Sequence, residues 1–342
     1  MPQARKVLVT GSSELPPGHR SFALELGRRL MTETSAMLVT GGLKSKGPGM
    51  RPALDAVVAE AAREALGSAT ETVSQRIMTM LPEAGRDGPD FKRVEIGTVV
   101  RVPYADRRSR RYAMVVHSDA VVAIGGSDAT REVIDLAYIA GKSLIPIPST
   151  GGATMGAWQD YEPELRSRLN ASDDEIAALS DRKALSHGIT ACLGILNRVL
   201  LPRCFVAMPF MQQHPVPNAY ETISSVVRKK GYQVVRVDQE KFSGSIVEEV
   251  WDAIHHCDLA VVDLTEHRPN VYYEMGIAHA LGKPTLLLVH SQDGNVPDDI
   301  PFDIRVQRIL PYGNTQSLGA HLNAQVPTAG EKPLRPTVRR SR

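Results

Sequence analysis

The sequence is poor in cysteine, and this scarcity argues against several kinds of protein. Only three cysteines occur among the 342 residues, at Cys192, Cys204 and Cys257. Their number is odd, and no two of them have the Cys-x-x-Cys spacing of a zinc or redox site. We therefore expect neither a disulfide framework nor a metal site, and a reducing cytoplasm is the expected compartment.

Long apolar runs and an excess of charge of one sign are also missing. No segment approaches the ~20 apolar residues that a membrane-spanning helix needs, and no apolar signal region follows Met1. Lys and Arg together number 40 and Asp and Glu 38, which gives a formal net charge of +2. We expect a soluble intracellular protein without a membrane partner, and the charge balance does not indicate a nucleic-acid partner.

The residues that are present alternate between short β-branched strands and amphipathic helices, in two blocks. In the first block, strands are predicted at residues 6–10, 36–40, 94–102, 120–124 and 143–147, and helices at residues 20–32, 50–66, 106–117 and 130–140. In the second block, strands are predicted at residues 204–208, 233–237, 259–263 and 285–289, and helices at residues 219–230, 245–255 and 271–281. This alternation predicts parallel sheets with helices on both faces.

Domain boundaries follow from where the alternation stops. Residues 151–202 have apolar residues at helical spacing and no convincing strand, which indicates a helical connector. The end of the chain is rich in Pro, Gly, Arg and Thr and lacks an apolar period, so residues 316–342 are predicted to be a disordered tail. The domains are then residues 1–150 and 203–315. The predicted fold class is α/β, with two Rossmann-like or flavodoxin-like parallel-sheet domains joined by the connector.

The most specific chemistry lies in the second block. A buried strand places Asp263 at its carboxyl end, the edge where ligands bind to an open α/β sheet. Asn270 and Glu274 are four residues apart and share one helix face. We expect Glu274 in the first helical turn, where the dipole favours its ionised form. An ionised carboxylate can attack an anomeric carbon or stabilise an oxocarbenium-like centre. The alternative is a helix-dipole partner at Glu274 and a helix cap at Asp263.

The run from Pro269 to Pro284, Pro-Asn-Val-Tyr-Tyr-Glu-Met-Gly-Ile-Ala-His-Ala-Leu-Gly-Lys-Pro, resembles the nucleoside 2-deoxyribosyltransferase superfamily. That group includes nucleotide N-hydrolases and is similar to TIR-like NAD-consuming domains. The resemblance implies that Glu274 is the catalytic carboxylate and that Asp263 helps to hold the sugar or base. It also implies a substrate-binding set made of Met208, Pro209, Phe210, Asp238, Asn270 and Tyr273. Asp238 has the alternative of capping its loop, and Tyr273 that of packing in the core.

Glycine-containing turns end three strands of the first block. They are the segments that begin at Gly11, at Gly41-Gly42 and at Gly125-Gly126. Glycine lets a backbone approach a phosphate, and the helix that follows supplies N–H donors. No Gly-x-Gly-x-x-Gly or Walker lysine motif is present, which argues against a Rossmann dinucleotide site or a P-loop. The alternative is a set of ordinary strand-to-helix turns.

The first block resembles the SLOG superfamily, which contains the LOG phosphoribohydrolases and DNA-processing proteins of the DprA kind. Arg110-Arg111-Tyr112-Ala113-Met114 is similar to that family's Arg-Lys-x-x-Met helix, and residues 125–132 are similar to its Pro-Gly-Gly-x-Gly-Thr loop. Val133 stands where the family has its catalytic Glu, although Glu132 is adjacent. A domain that keeps the phosphate cradle and loses the acid suits a ligand sensor. The implied ligand-binding residues are Gly11, Ser12, Gly41, Gly42, Arg110, Gly125, Gly126, Thr130 and Glu132.

Together these patterns favour a nucleotide-sensing N-glycosidase that cleaves NAD or a nucleotide, which by family resemblance suggests prokaryotic anti-phage defence. One alternative is a nucleoside or nucleotide 2-deoxyribosyltransferase or hydrolase of salvage. Another is a non-catalytic nucleotide-binding sensor. In each case the partner is a nucleotide-derived small molecule, with NAD or a nucleotide as substrate or ligand. No further cofactor is required, and a homo-oligomer is compatible with the sequence.

Overall fold

The computed structural model describes residues 5–47, 49–83, 92–103, 106–209, 214–237 and 246–329. The chain divides between Leu200 and Leu201 into two compact units. Each unit contains one parallel sheet flanked by helices, so the predicted α/β fold class is confirmed. Phe210 and Asp238, two of the predicted substrate-binding residues, lie outside the described residues.

The first unit is built on a six-stranded sheet. Its strands are β1 (Lys6–Gly11), β2 (Met37–Thr40), β4 (Ile77–Pro82), β6 (Thr98–Val102), β7 (Ala120–Ile124) and β8 (Ser143–Ile147), while β3 (Leu43–Ser45) and β5 (Lys92–Arg93) form a separate antiparallel pair. The strand order is β6-β4-β2-β1-β7-β8, and all neighbours are parallel. Every residue of β7 is buried, as expected of a strand covered on both faces.

Eight helices accompany this sheet among the described residues. They are α1 (Pro17–Glu33), α2 (Leu54–Leu66), α3 (Thr70–Arg76), α4 (Arg107–Val116), α5 (Asp128–Ile139), α6 (Gly152–Leu169), α7 (Asp173–Ser180) and α8 (Leu185–Val199). The last three occupy the region predicted as a connector. Their apolar faces belong to the core of the first unit: Trp158 and Leu165 pack with strand residues, and Ile195 packs with Phe22. The helical content of this region is as predicted, but the structure gives it a core role.

The second unit contains a five-stranded parallel sheet in the order β10-β9-β11-β12-β13. Its strands are β9 (Arg203–Ala207), β10 (Gln233–Val235), β11 (Leu259–Asp263), β12 (Thr285–His290) and β13 (Ile309–Tyr312), and its helices are α9 (Ala219–Lys229), α10 (Ile246–His255), α11 (Pro269–Ala280), α12 (Phe302–Arg305) and α13 (Thr315–Gln325). This is the strand order of a flavodoxin-like fold.

The expectation of a disordered tail from residue 316 is wrong for its first part. Residues 315–325 form α13, whose Leu318 and Leu322 are fully buried in the core of the second unit. Val326 is also buried there, and the backbone N–H of Ala329 donates to the carbonyl of Lys230. The helix was missed because its buried leucines are spaced among small and polar residues, so the apolar period is short.

Each sheet has one switch point, where the connections that leave two neighbouring parallel strands run toward opposite edges of the sheet. In the first unit it lies between β1 and β7, where Gly11 pairs with Ile124. In the second unit it lies between β9 and β11, where Ala207 pairs with Val262. The carboxyl ends of strands at such a switch point border the crevice in which open α/β sheets bind ligands. The candidate residues must therefore be sought at these two edges.

Candidate functional sites at the sheet edges

Asp263, at the carboxyl end of β11, is a wholly buried carboxylate at the switch point of the second unit. One of its oxygens accepts hydrogen bonds from the backbone N–H and the hydroxyl of Thr265. The other accepts from the hydroxyl of Tyr312 and lies 3.1 Å from Nε2 of His214. A carboxylate has about four acceptor positions, and these four contacts fill them. Asp263 therefore binds the protein itself, and its predicted contact with substrate stays a prediction.

His214 and Tyr312 were missed from the sequence, although both reach the centre of this site. Their rings are almost fully buried, and the Tyr312 hydroxyl lies 3.1 Å from Nε2 of His214. Burial alone would raise the pKa of Asp263, but the hydrogen bonds from His214, Thr265 and Tyr312 outweigh it and hold that pKa below its ordinary value. Burial of Tyr312 beside the same carboxylate raises the pKa of its phenol. The carboxyl thus stays ionised inside the fold.

Glu274 lies in the second turn of α11, because the helix begins at Pro269, and not in the first turn as the sequence suggested. The favourable effect of the helix dipole falls off beyond the first turn, so it contributes little to the charge of Glu274. Glu274 is partly buried and shares a helix face with the buried Ala278. The expected placement on one face with Asn270 also holds, with Asn270 exposed to solvent.

The side of α11 that carries Glu274 can be read from contacts on its opposite side. The hydroxyl of Tyr272 meets Nδ1 of His267 at 2.9 Å, and Nε2 of His267 pairs with Asp299 in the segment after β12. Glu274 is two residues further on, roughly 200° round the helix. Helix α10 packs on α11, and Lys283, just after α11, donates to the carbonyl of His255 at the end of α10. Glu274 therefore lies on the side of α11 opposite Tyr272, His267 and Asp299.

The remaining predicted substrate-binding residues among those described differ in burial. Met208 and Pro209 follow β9 and are buried at the same edge as Asp263. Tyr273 has 52% of its surface exposed, so core packing, the alternative weighed for it, does not apply. Arg236, which the sequence analysis overlooked, is buried just after β10, and its guanidinium reaches the carbonyl of Pro209 over 3.4 Å. No local sequence signal distinguishes this arginine from the surface arginines.

The glycine turn of the first unit is closed by side chains of the same unit. Gly125 and Gly126 both have positive φ angles, as the predicted turn requires. Their backbone N–H groups donate to Oγ1 of Thr150 over 2.7 Å and to Oγ of Ser12 over 3.0 Å. The hydroxyl of Thr130 donates to the carbonyl of Gly11. The structure thus brings the predicted residues together, but both glycine N–H groups already have acceptors.

Arg110 occupies the interior beside the second glycine turn. Its side chain is buried and donates toward the carbonyls of Gly41 and Met80. A Cβ at Gly41 would collide with this guanidinium and with the carboxylate of Asp55, so the glycine is needed for that close approach. Burial raises the pKa of Asp55, and the charge of Arg110 opposes that rise. In this arrangement Arg110 compensates a buried acid, and its predicted contact with a phosphate stays a prediction.

Glu132 lies away from the glycine turn and pairs with two arginines of α4. It binds Arg108 and, over 2.7 Å, Nη1 of Arg111. The hydrogen bond from Arg108 is the largest cause that lowers the pKa of Glu132. Arg108 and Arg111 therefore belong to a charged face of α4 that pairs with Glu132. Arg110, on the inner side of the same helix, is the member that points into the fold.

Within the described residues, no three His, Cys, Asp or Glu side chains are grouped so that they could hold a metal ion. All three cysteines are buried and free. None of the described helices is long and apolar enough to cross a membrane.

No protein-family model matches the chain, and no curated protein matches it. Solved structures similar to it include a CMP N-glycosidase from Clostridium botulinum, at 23% identity over 35% of this chain and 98% of that chain, with a TM-score of 0.28. A 2-deoxyribosyltransferase from Leishmania mexicana is 24% identical over 28% of this chain and 67% of that chain, with a TM-score of 0.23. DNA processing protein A from Helicobacter pylori is 14% identical over 49% of this chain and 81% of that chain, with a TM-score of 0.34. These proteins are of the two kinds that the sequence motifs resemble.

Proposed function

We propose that the second unit is an N-glycosidase that cleaves the bond between base and sugar in NAD or a nucleotide, with Glu274 as the carboxylate that acts on the sugar. The observation that carries the proposal is the position of Glu274. It lies in the half of α11 nearest the carboxyl end of β11, on the side of the helix opposite Tyr272. A partly buried carboxylate near the switch point of a parallel sheet is well placed to meet a ligand there.

The chemistry that follows is displacement at the anomeric carbon. An oxygen of Glu274 bonds to C1′ as the C1′–N bond breaks, and the base leaves with the bonding electrons. Water then attacks C1′, releases the carboxylate and gives up a proton. A cationic base such as nicotinamide leaves as a neutral molecule, whereas the other common bases need a proton as they depart. If a second base takes the place of water, the same steps give a deoxyribosyltransferase.

The first unit is proposed to sense a nucleotide-derived ligand. Its turns at Gly11 and at Gly125-Gly126 meet at the switch point between β1 and β7, next to the N-terminus of α5. Because Ser12 and Thr150 already accept from Gly126 and Gly125, a phosphate must displace these hydroxyls or bind beside them. A sensor joined to a unit that destroys nucleotides would suit a prokaryotic anti-phage protein, and this role belongs to the proposal.

The test is base release from a panel of substrates by the full chain. NAD, nucleoside monophosphates and deoxynucleosides are incubated with the protein, with and without candidate cyclic nucleotides, and the free base is measured by chromatography. We expect release from NAD or a nucleotide, and a roughly 100- to 1,000-fold slower release by Glu274→Gln. Glu248→Gln, at an exposed position on α10, is the matched control and should keep the parental rate. Undiminished turnover by Glu274→Gln would remove Glu274 from the chemistry, and release from deoxynucleosides alone would favour a salvage enzyme.

A further inference from the structure

Three strand ends of the second unit and His214, which precedes α9, meet around one carboxylate. Asp263 ends β11, and Tyr312 ends β13. His214 belongs to the segment that follows β9. The end of β12 is joined through Thr265, whose hydroxyl accepts from the backbone N–H of His290 over 2.9 Å. Contacts of this kind fix the relative positions of the strand ends that border the candidate site.

Direct contact between Asp263 and a substrate would require one of its present hydrogen-bond donors to leave. The carboxylate is wholly buried, and its four acceptor positions are filled from within the unit. An influence of Asp263 on a reaction can instead pass through the groups that it holds. Of these, His214 belongs to the segment leading into α9, and its Nδ1 lies against Val216 of that segment.

We propose that His214 is a positioning residue that acts through Asp263 to tie the segment leading into α9 to the ends of β11 and β13, at the sheet edge that borders the proposed site. This inference rests on the proposed function for its effect on catalysis, but not for its effect on the fold. Tyr312 supports the same contact, because its hydroxyl binds the same oxygen of Asp263. His214 and Tyr312 are separated by 98 residues in the chain, so each is brought to Asp263 by the fold alone.

The protonation of His214 decides how strong this contact is. Burial alone would lower the pKa of His214, but the hydrogen bond and charge of Asp263 outweigh it and raise the pKa. The other groups that face the imidazole are the phenol of Tyr312 and, at longer range, the carboxylate of Glu266, which also raises the pKa. The ring of His290 packs edge-on against Tyr312 with its centroid 6.0 Å away.

Both protonation states have a partner for Nδ1, but they differ in charge. Nδ1 lies 3.0 Å from the carbonyl oxygen and 3.1 Å from the backbone nitrogen of Val216. The protonated ring can donate to the carbonyl, whereas the neutral ring with its hydrogen on Nε2 can accept from the N–H. In both states Nε2 donates to Asp263, but only the protonated ring neutralises the buried carboxylate.

The direction of the pH dependence follows from the raised pKa. In the unfolded chain His214 titrates near the ordinary histidine value of about 6.5. The stabilisation that protonated His214 gives to the folded protein is therefore complete below that value and is lost as the pH rises through the higher folded pKa. We expect both the attachment of the segment before α9 and the stability of the unit to weaken over this range.

The experiment compares the full chain with His214→Gln from about pH 6 to about pH 9, the range in which a raised histidine pKa lies. The glutamine amide can still donate to Asp263 but does not titrate. The first measurement is the midpoint of thermal unfolding, which requires no turnover. We expect the parental midpoint to fall relative to that of His214→Gln as the pH rises. His321→Gln changes a histidine that binds only the carbonyl of Pro311, and it should keep the parental profile.

The second measurement is kcat and KM for base release over the same pH range. The parental kcat should decline as His214 loses its proton, whereas kcat of His214→Gln should stay flat. Tyr312→Phe, which removes one donor to Asp263 and keeps the ring, should lower kcat about tenfold with KM nearly unchanged. Unfolding and kcat profiles of His214→Gln that follow the parental ones would overturn the inference. A chain that releases no base refutes the proposed function, while the unfolding profiles still decide whether protonated His214 ties the segment before α9 to Asp263.

Discussion

Oγ of Ser12 accepts a hydrogen bond from the backbone N–H of Gly126 over 3.0 Å, at the point where β1 and β7 end side by side. The glycine turn was predicted to let a phosphate approach this backbone. The hydroxyl instead occupies the position from which a ligand oxygen would accept. Thr150 does the same for Gly125. The turn therefore has the shape of an anion cradle, but the chain itself supplies the acceptors.

Replacement of Ser12 by Ala should expose the cost of an unpaired N–H. We expect Ser12→Ala to lower the free energy of unfolding of the first unit by about 1–2 kcal/mol, because the N–H of Gly126 loses its acceptor. Urea unfolding can be followed through Trp158, which is buried in the first unit, in a Trp251→Phe background that removes the other tryptophan. Ser13→Ala is the control. Equal unfolding midpoints for the two variants would contradict the role of Ser12.

Helix α13 should be essential for the second unit. Leu318→Ala should lower the free energy of unfolding by about 2–5 kcal/mol, the usual cost of truncating a fully buried leucine. Asn323→Ala, at an exposed position of the same helix, should have a small effect. Calorimetry of the full chain provides the measurement. If both variants unfold at the parental temperature, α13 contributes no core and the unit ends before residue 315.

Strands that are buried throughout were predictable from the sequence. β7 and β11 consist of small and β-branched apolar residues between turn residues, and their bounds match the predicted residues 120–124 and 259–263. β4 was missed because Met78, Met80 and Leu81 do not form a β-branched run. The predicted strand over residues 94–102 proved to be β6 alone, after a separate short pairing at Lys92–Arg93.

For the candidate sites, too, the sequence identifies some residues and not their partners in the fold. A strand-end acid such as Asp263 can be recognised from its own neighbours in sequence. Its partners His214 and Tyr312 each lie 49 residues away, and no local pattern marks them. For Arg110, the arginine cluster can be recognised from the sequence, but a run of arginines does not show which member is buried. That choice is made by the packing of α4, which turns Arg110 inward and leaves Arg108 in solvent.

The two arginines therefore provide a matched pair for the last prediction. Arg110→Met should lower the free energy of unfolding of the first unit by about 3–5 kcal/mol, because it leaves the carboxylate of Asp55 with less compensation. Arg108→Met, on the exposed side of α4, should leave the unfolding curve almost unchanged. The measurement is urea unfolding followed through Trp158. Addition of Asp55→Asn to Arg110→Met should restore part of the loss, because the uncompensated acid is then gone. If Arg110→Met is as stable as Arg108→Met, Arg110 is not needed for the fold, and a direct role in binding a phosphate becomes the better explanation of its place.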